Sequence, residues 1–269
     1  MDGLLRRILT AGLLLAVFVS ALFWATSTMW AMLIALVVGI AAHEWARLGR
    51  FPASVSIIYA LLLSGFALGL PFISDVNLTT LRDGLLIMAA LFWVLIAPLW
   101  LSQGWRAQGF FIRAAVGVVI LLPTWAALLY LRERGPWILL AVLAVVWVAD
   151  TAAYFAGRRF GQHKLAPRIS PGKTREGVIG AIIALILYAS AVSATAVGLG
   201  IGNALLLSMT LLYFAILGDL FESWIKRVAN MKDSGSLLPG HGGILDRIDA
   251  LTAALPIAAG VLLLAEHYT

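Results

Sequence analysis

No cysteine occurs in the 269 residues, so disulfides and thiolate metal centres are excluded and the redox compartment leaves no mark on the chain. Charge is nearly as scarce. Only 12% of the residues are Asp, Glu, Lys or Arg, against ~25% in ordinary soluble domains, while 62% are hydrophobic and the mean hydropathy is +0.99. No polar stretch is long enough to make a soluble domain, and no internal repeat marks a transporter of inverted halves. These absences leave an all-α, polytopic integral membrane protein. The net charge of +6 would suggest nucleic acid in a soluble protein. Basic residues placed between apolar runs instead orient a membrane chain, so no nucleic-acid partner is expected.

A membrane-crossing helix needs ~20 mostly apolar residues. Nine such runs can be marked: Ile8 to Ala25, Met29 to Ala46, Ser54 to Ile73, Gly84 to Ser102, Phe111 to Leu131, Trp137 to Ala156, Gly177 to Leu199, Asn203 to Trp224 and Ile248 to His267. The first is long and closely followed by a second, which reads as an uncleaved span rather than a secretory signal. With the N-terminus in the cytosol, 16 of the 19 Lys and Arg residues fall on the inner side, as the positive-inside rule requires. The chain is then one membrane domain, with lipid-facing spans over 1–135 and the polar chemistry over 136–269. The ten tryptophans fall largely near run ends, where they are expected to anchor at the interface.

Acids inside apolar runs are costly, roughly 2.5 to 3.5 kcal/mol each at the bilayer centre, and are functional candidates for that reason. Asp150 and Asp219 lie at similar depths in different runs, about 10 Å from the cytosolic ends at 1.5 Å per residue. That predicts a shared water-filled cavity. Asp219, Glu222, Ser223 and Lys226 follow i, i+3, i+4, i+7 spacing and share a helix face, as do Asp246 and Asp249. Carboxylates on two helices with no thiols suit a hard cation such as Mg²⁺, while an alternative pairs Glu222 with Lys226 and makes Asp246 a helix cap. Glu44 reads most simply as pairing with Arg47 at its helix end.

Two polar segments have phosphate chemistry. Gly240-His241-Gly242-Gly243 can turn backbone amides inward around an anion, with Lys226, Arg227, Lys232 and Arg247 near in sequence. The loop Ser170-Pro171-Gly172-Lys173-Thr174 lacks the first glycine of a P-loop, has Pro167 there instead, and is not preceded by a predicted strand. It is expected to open a helix with Lys173 and Thr174 free for anions. Acids for Mg²⁺, cations for phosphate and a cavity at the cytosolic side of the membrane describe phosphoryl or nucleotidyl transfer onto a lipid. The residues alone choose neither nucleotide nor lipid.

The stretch Ser223-x-Ile225-Lys226-Arg227-x₄-Lys232-Asp233-x-Gly235-x₂-Leu238-Pro239-x-His241-Gly242-Gly243-Ile244-x-Asp246-Arg247-Ile248-Asp249 resembles, without departure, the signature of the phosphatidate cytidylyltransferase family. Asp150-x-x-Ala153-Tyr154-x-x-Gly157-Arg158 and the Ser170 to Gly177 loop resemble further family segments. Arg175 stands where many members carry an aromatic residue. The resemblance implies a polytopic helical enzyme, a homodimer, that joins CTP and phosphatidic acid into CDP-diacylglycerol and pyrophosphate with Mg²⁺, in a bacterial inner membrane. It places the metal on Asp219 and Asp246, with room for a second cation. Lys226, Arg227, Lys232, Asp233, His241, Arg247, Asp249 and Asp150 become catalytic-site residues, and Lys173, Thr174, Gly242 and Gly243 line the substrate phosphates. A cytidylyltransferase for an ether or polyprenyl lipid, or a transporter of anionic substrates, remains as an alternative.

Overall fold

The computed structural model describes residues 3–69, 75–106, 109–194, 200–238, 240 and 242–268. Ten α-helices account for nearly all of it: α1 (Gly3–Trp24), α2 (Ser27–Leu48), α3 (Ala53–Gly69), α4 (Asp75–Leu91), α5 (Ala97–Gln103), α6 (Phe110–Arg134), α7 (Pro136–Phe160), α8 (Arg175–Ser193), α9 (Ile201–Val228) and α10 (Leu245–Tyr268). Every marked run falls on this helical framework. Among the described residues, seven helices are long and apolar enough to cross a membrane, and two shorter apolar ones span Gly12–Trp24 and Ala53–Gly69. Residues 70–74 and 195–199, at the ends of two of the runs, lie outside the described residues.

One run is not a single regular helix. A π-helical turn, Phe92–Ile96, joins α4 to α5. Pro98 follows it near the start of α5 and has no N–H to give to the preceding turn, so the wider turn sits where the regular ladder is already broken. Phe92 and Trp93 in this turn pack with Phe221 of α9, edge to face at 5.3 and 5.6 Å, and Trp100 joins at 5.7 Å. Tryptophan placement therefore differs from the interfacial expectation. Trp30, Trp45, Trp93, Trp100 and Trp125 are buried in the core, whereas Trp24 and Trp137 are exposed. Hydropathy locates a residue along a helix but not around it. Edge-to-face stacking between helices then decides the side.

Small residues set the closest helix pair. Gly177 and Gly180 of α8 face Ala153 and Ala156 of α7: a Cβ at Gly177 would lie 2.9 Å from the Ala153 carbonyl oxygen, and one at Gly180 would collide with the Ala156 methyl. Such pairs let backbones approach where lipid offers no hydrophobic drive. Between the two helices the chain forms a short antiparallel hairpin, β1 (Lys164–Ala166) with β2 (Ser170–Thr174), pairing Lys164 with Thr174 and Ala166 with Ser170. The sequence does not predict these strands. Thr174 ends β2 and caps α8, its hydroxyl accepting from the Gly177 amide at 3.1 Å. The Glu176 carboxylate turns back to the His163 ring at 2.6 Å and accepts from the Gln162 and His163 amides, which fixes the hairpin on the helix.

Candidate active site

A cavity of about 500 Å³ lies between α7, the hairpin, α8 and α9. Asp150, Tyr154 and Arg158 line it from α7, Lys164, Lys173 and Thr174 from the hairpin, and Asp219 from α9. The two acids predicted to share a cavity do so. Lys173 reaches across to Asp219, Nζ to Oδ2 at 2.6 Å, and the Ser223 hydroxyl donates to Asp219 Oδ1 at 3.2 Å one turn along the same helix. Asp150 stands in electrostatic range of both Lys173 and Asp219. The Lys173 ammonium is thus the shared counter-ion of two acids. Thr174 lines the cavity, and its hydroxyl oxygen also accepts the capping bond of α8.

The charges continue from this cavity through the protein. Asp249 of α10 interacts with Asp219, Lys173 and Lys226. Lys226 lies between two further acids, 3.1 Å from Glu222 Oε1 and 2.8 Å from Asp246 Oδ1. The geometry thus gives two ion-paired clusters, Lys173 with Asp219 at the cavity and Lys226 with Glu222 and Asp246, with Asp249 in electrostatic range of both. α9 supplies its members at the helical spacing read from the sequence. α10 faces it with Asp246 and Asp249, because the helix starts at Leu245 and both acids fall in its first turns.

The glycine segment encloses anions, and the anions are the protein's own. Gly243 donates its amide to Asp246 Oδ2 at 2.8 Å, and the Ser234 amide donates to both Asp246 oxygens at 2.9 and 3.1 Å. Gly242 takes φ +78, and a Cβ there would lie 2.6 Å from Asp246 Oδ2. A side chain at 242 would push the carboxylate out of its seat. His241, expected beside the phosphates, lies outside the described residues.

Glu44 supplies the second anion. It is 3% exposed on α2, and its carboxylate accepts from the Ser234 hydroxyl at 3.1 Å, the Ile244 amide at 3.1 Å and the Leu245 amide at 2.8 Å. It is not paired with Arg47. Instead it caps the positive end of α10 from a helix 200 residues earlier in the chain. A Cβ at Gly235 or Gly243 would collide with its oxygens, which explains both glycines. Glu44 and Ser234 were missed as site residues, and the available signal was an acid inside an apolar run.

The remaining cations sit at the rim. Arg227 is exposed and donates from Nε to the Ile169 carbonyl at 3.2 Å, tying α9 to the hairpin turn. Lys232, Asp233 and Arg247 are exposed, and their side chains have no hydrogen-bond or ion-pair partner among the described residues.

Mg²⁺ fits part of this donor set. It is usually held by one or two carboxylates with waters and substrate phosphates completing the shell, so a cluster of three acids, absent among the described residues, is not needed. An ionised carboxylate offers about four lone-pair sites. Asp219 uses two and faces the cavity; Asp246 accepts four contacts, from Lys226, Gly243 and a forked Ser234 amide. For Asp219 and Asp246 to share one ion, as the resemblance implies, Lys226 or a loop amide must first release Asp246.

The sequence model of the Cytidylyltransferase family matches residues 5–265. Among curated proteins, the phosphatidate cytidylyltransferase of Pseudomonas aeruginosa is 39% identical over 268 residues, covering 96% of each chain. That of Haemophilus influenzae is 35% identical over 277 residues, covering 93% of this chain and 96% of its own. The Staphylococcus haemolyticus enzyme is 47% identical over 127 residues, 47% of this chain and 49% of its own. Inside a match that spans nearly every residue, Lys226, Gly243, Asp246 and Asp249 of the signature fall on one polar cluster, and the chain belongs to the cytidylyltransferase family.

Proposed function

We propose that the chain transfers the CMP moiety of CTP to phosphatidic acid, giving CDP-diacylglycerol and pyrophosphate. The observation that carries this reading is the pairing of cations with carboxylates at two points on α9, Lys173 with Asp219 at the cavity and Lys226 with Glu222 and Asp246 two turns along. A site that must hold two phosphate-bearing substrates together needs cations spaced by carboxylates that keep them ionised and in place.

In this reading a phosphate oxygen of phosphatidate attacks the α-phosphorus of CTP. The bond from that phosphorus to the bridging oxygen breaks, and its electron pair leaves with pyrophosphate. Lys226 and Arg227 receive the lipid phosphate. Lys173, Lys232, Arg247 and the His241 turn offset charge on the departing pyrophosphate, with Asp233 and Asp249 positioning those cations. Mg²⁺ held by Asp219 and Asp246 would neutralise nucleotide phosphates. Asp150 keeps Lys173 directed into the cavity.

The cation distribution supports a cytosolic N-terminus and an active site facing the cytosol, in the inner membrane of a bacterium. Assembly as a homodimer belongs to the same proposal. The test is purified protein with CTP, phosphatidate and Mg²⁺, scored for pyrophosphate release with and without EDTA. Release that requires phosphatidate and stops with chelator is expected. Release with ether or polyprenyl phosphate but not with phosphatidate would replace the acceptor, and no release with any lipid would sink the enzyme.

A further inference from the structure

A second cavity, of about 510 Å³, opens on the far side of the Glu44 clamp, between α2, α3 and residues 235–237. From Leu36 its lining climbs α2 through Gly39 and Ile40 to His43 and Arg47, and α3 faces it with Ile57, Ala60, Leu61 and Ser64. Leu36, Ile57 and Leu61 are each more than half exposed and apolar, and the imidazole of His43 and the exposed guanidinium of Arg47 lie toward the C-terminal end of α2. Arg47 has no side-chain partner among the described residues.

We propose that this groove is the entry dock for the lipid acceptor: an anionic diacyl phospholipid whose phosphate first meets Arg47 and His43, with one acyl chain along α2 and α3, before it passes to Lys226 and Arg227. The inference rests on the proposed function for the identity of the lipid. Three features select a membrane lipid. The eleven steps from Leu36 to Arg47 rise roughly 16 Å at 1.5 Å per residue, comparable with half of the ~30 Å hydrocarbon core. The charge at the head of the groove is complementary to a phosphate and is offered by a fork suited to it. The groove also shares a wall with the site: Glu44 lines it and holds Ser234, whose amide holds Asp246, which holds Lys226. Glu44, the acid at the head, already accepts from three donors and makes no ion pair with Arg47.

The test is photolabelling of the purified full chain, without CTP, by phosphatidate carrying a diazirine in one acyl chain, with labelled residues mapped by mass spectrometry. Label between residues 36 and 64, reduced about tenfold or more by Arg47→Gln as expected for losing a charge-assisted contact, is the expected result. Ala60→Trp, which fills the groove without touching its charges, should lower the label and raise KM for phosphatidate while leaving KM for CTP unchanged. Label confined to the α7–α8 cavity, equal labelling by a diazirine phosphatidylcholine, or cross-linking of two chains through α2 and α3 would each overturn the proposal. Because labelling needs no turnover, a lipid that binds here in a protein inactive with CTP would refute the proposed reaction and leave the dock standing.

Discussion

Lys226 has two carboxylate neighbours, and they are not equivalent. Asp246 also accepts two loop amides, whereas Glu222 is buried and meets only Lys226, in an ion pair that lacks hydrogen-bond geometry. Lys226→Met therefore strands two buried acids and should destabilise the protein by about 3 to 5 kcal/mol. Adding Glu222→Gln removes one of the stranded charges, so the double variant should melt at a higher temperature than Lys226→Met alone. Equal melting would mean that Glu222 already has a partner elsewhere. The same logic separates the two metal candidates. Asp219→Asn leaves a partly exposed Lys173 and should abolish turnover with little change in melting temperature. Asp246→Asn loosens the loop and Lys226 together, and should lose both. The placement of Asp219 and Lys226 in the polar cluster was legible in sequence because helical spacing puts them on one face. Glu44 was not, because its partners lie 190 to 201 residues away and a nearer cation offered itself at i+3.

At the level of elements, α7 and α8 touch through glycine and alanine, and the cavity lies between this pair, the hairpin and α9. Gly180→Leu places a side chain against Ala156, and should lower both thermal stability and CTP affinity by separating the helices. Thr174→Ala removes only the α8 cap and should cost about 1 kcal/mol. A drop in CTP affinity of more than tenfold in that variant, with an unchanged melting temperature, would assign the hydroxyl to nucleotide instead. The runs themselves were plain in the sequence, since 20 apolar residues in lipid have few options but helix. The hairpin was hidden. Its strands of three and five residues carry Pro171 and Gly172, and only their pairing, Lys164 with Thr174 and Ala166 with Ser170, makes them strands.

For the whole molecule, the helices share one core, with α10 packed against α9, α6, α4, α7 and α2. The proposed orientation rests on the cations and can be tested directly. In this cysteine-free chain, a single cysteine at Gln162 should react with a membrane-impermeant maleimide only when the cytosolic face is open to the reagent. Labelling of intact cells would reverse the topology. The Glu44 cap also governs how far the protein can be cut or recombined. Every residue of the family signature lies after position 222, yet the first amides of its final helix are answered from position 44. A gene that kept the signature and lost the front of the protein would encode an intact motif with an unfinished helix end. In a chimera between distant relatives, the inherited front half would have to bring its own acid to that spot.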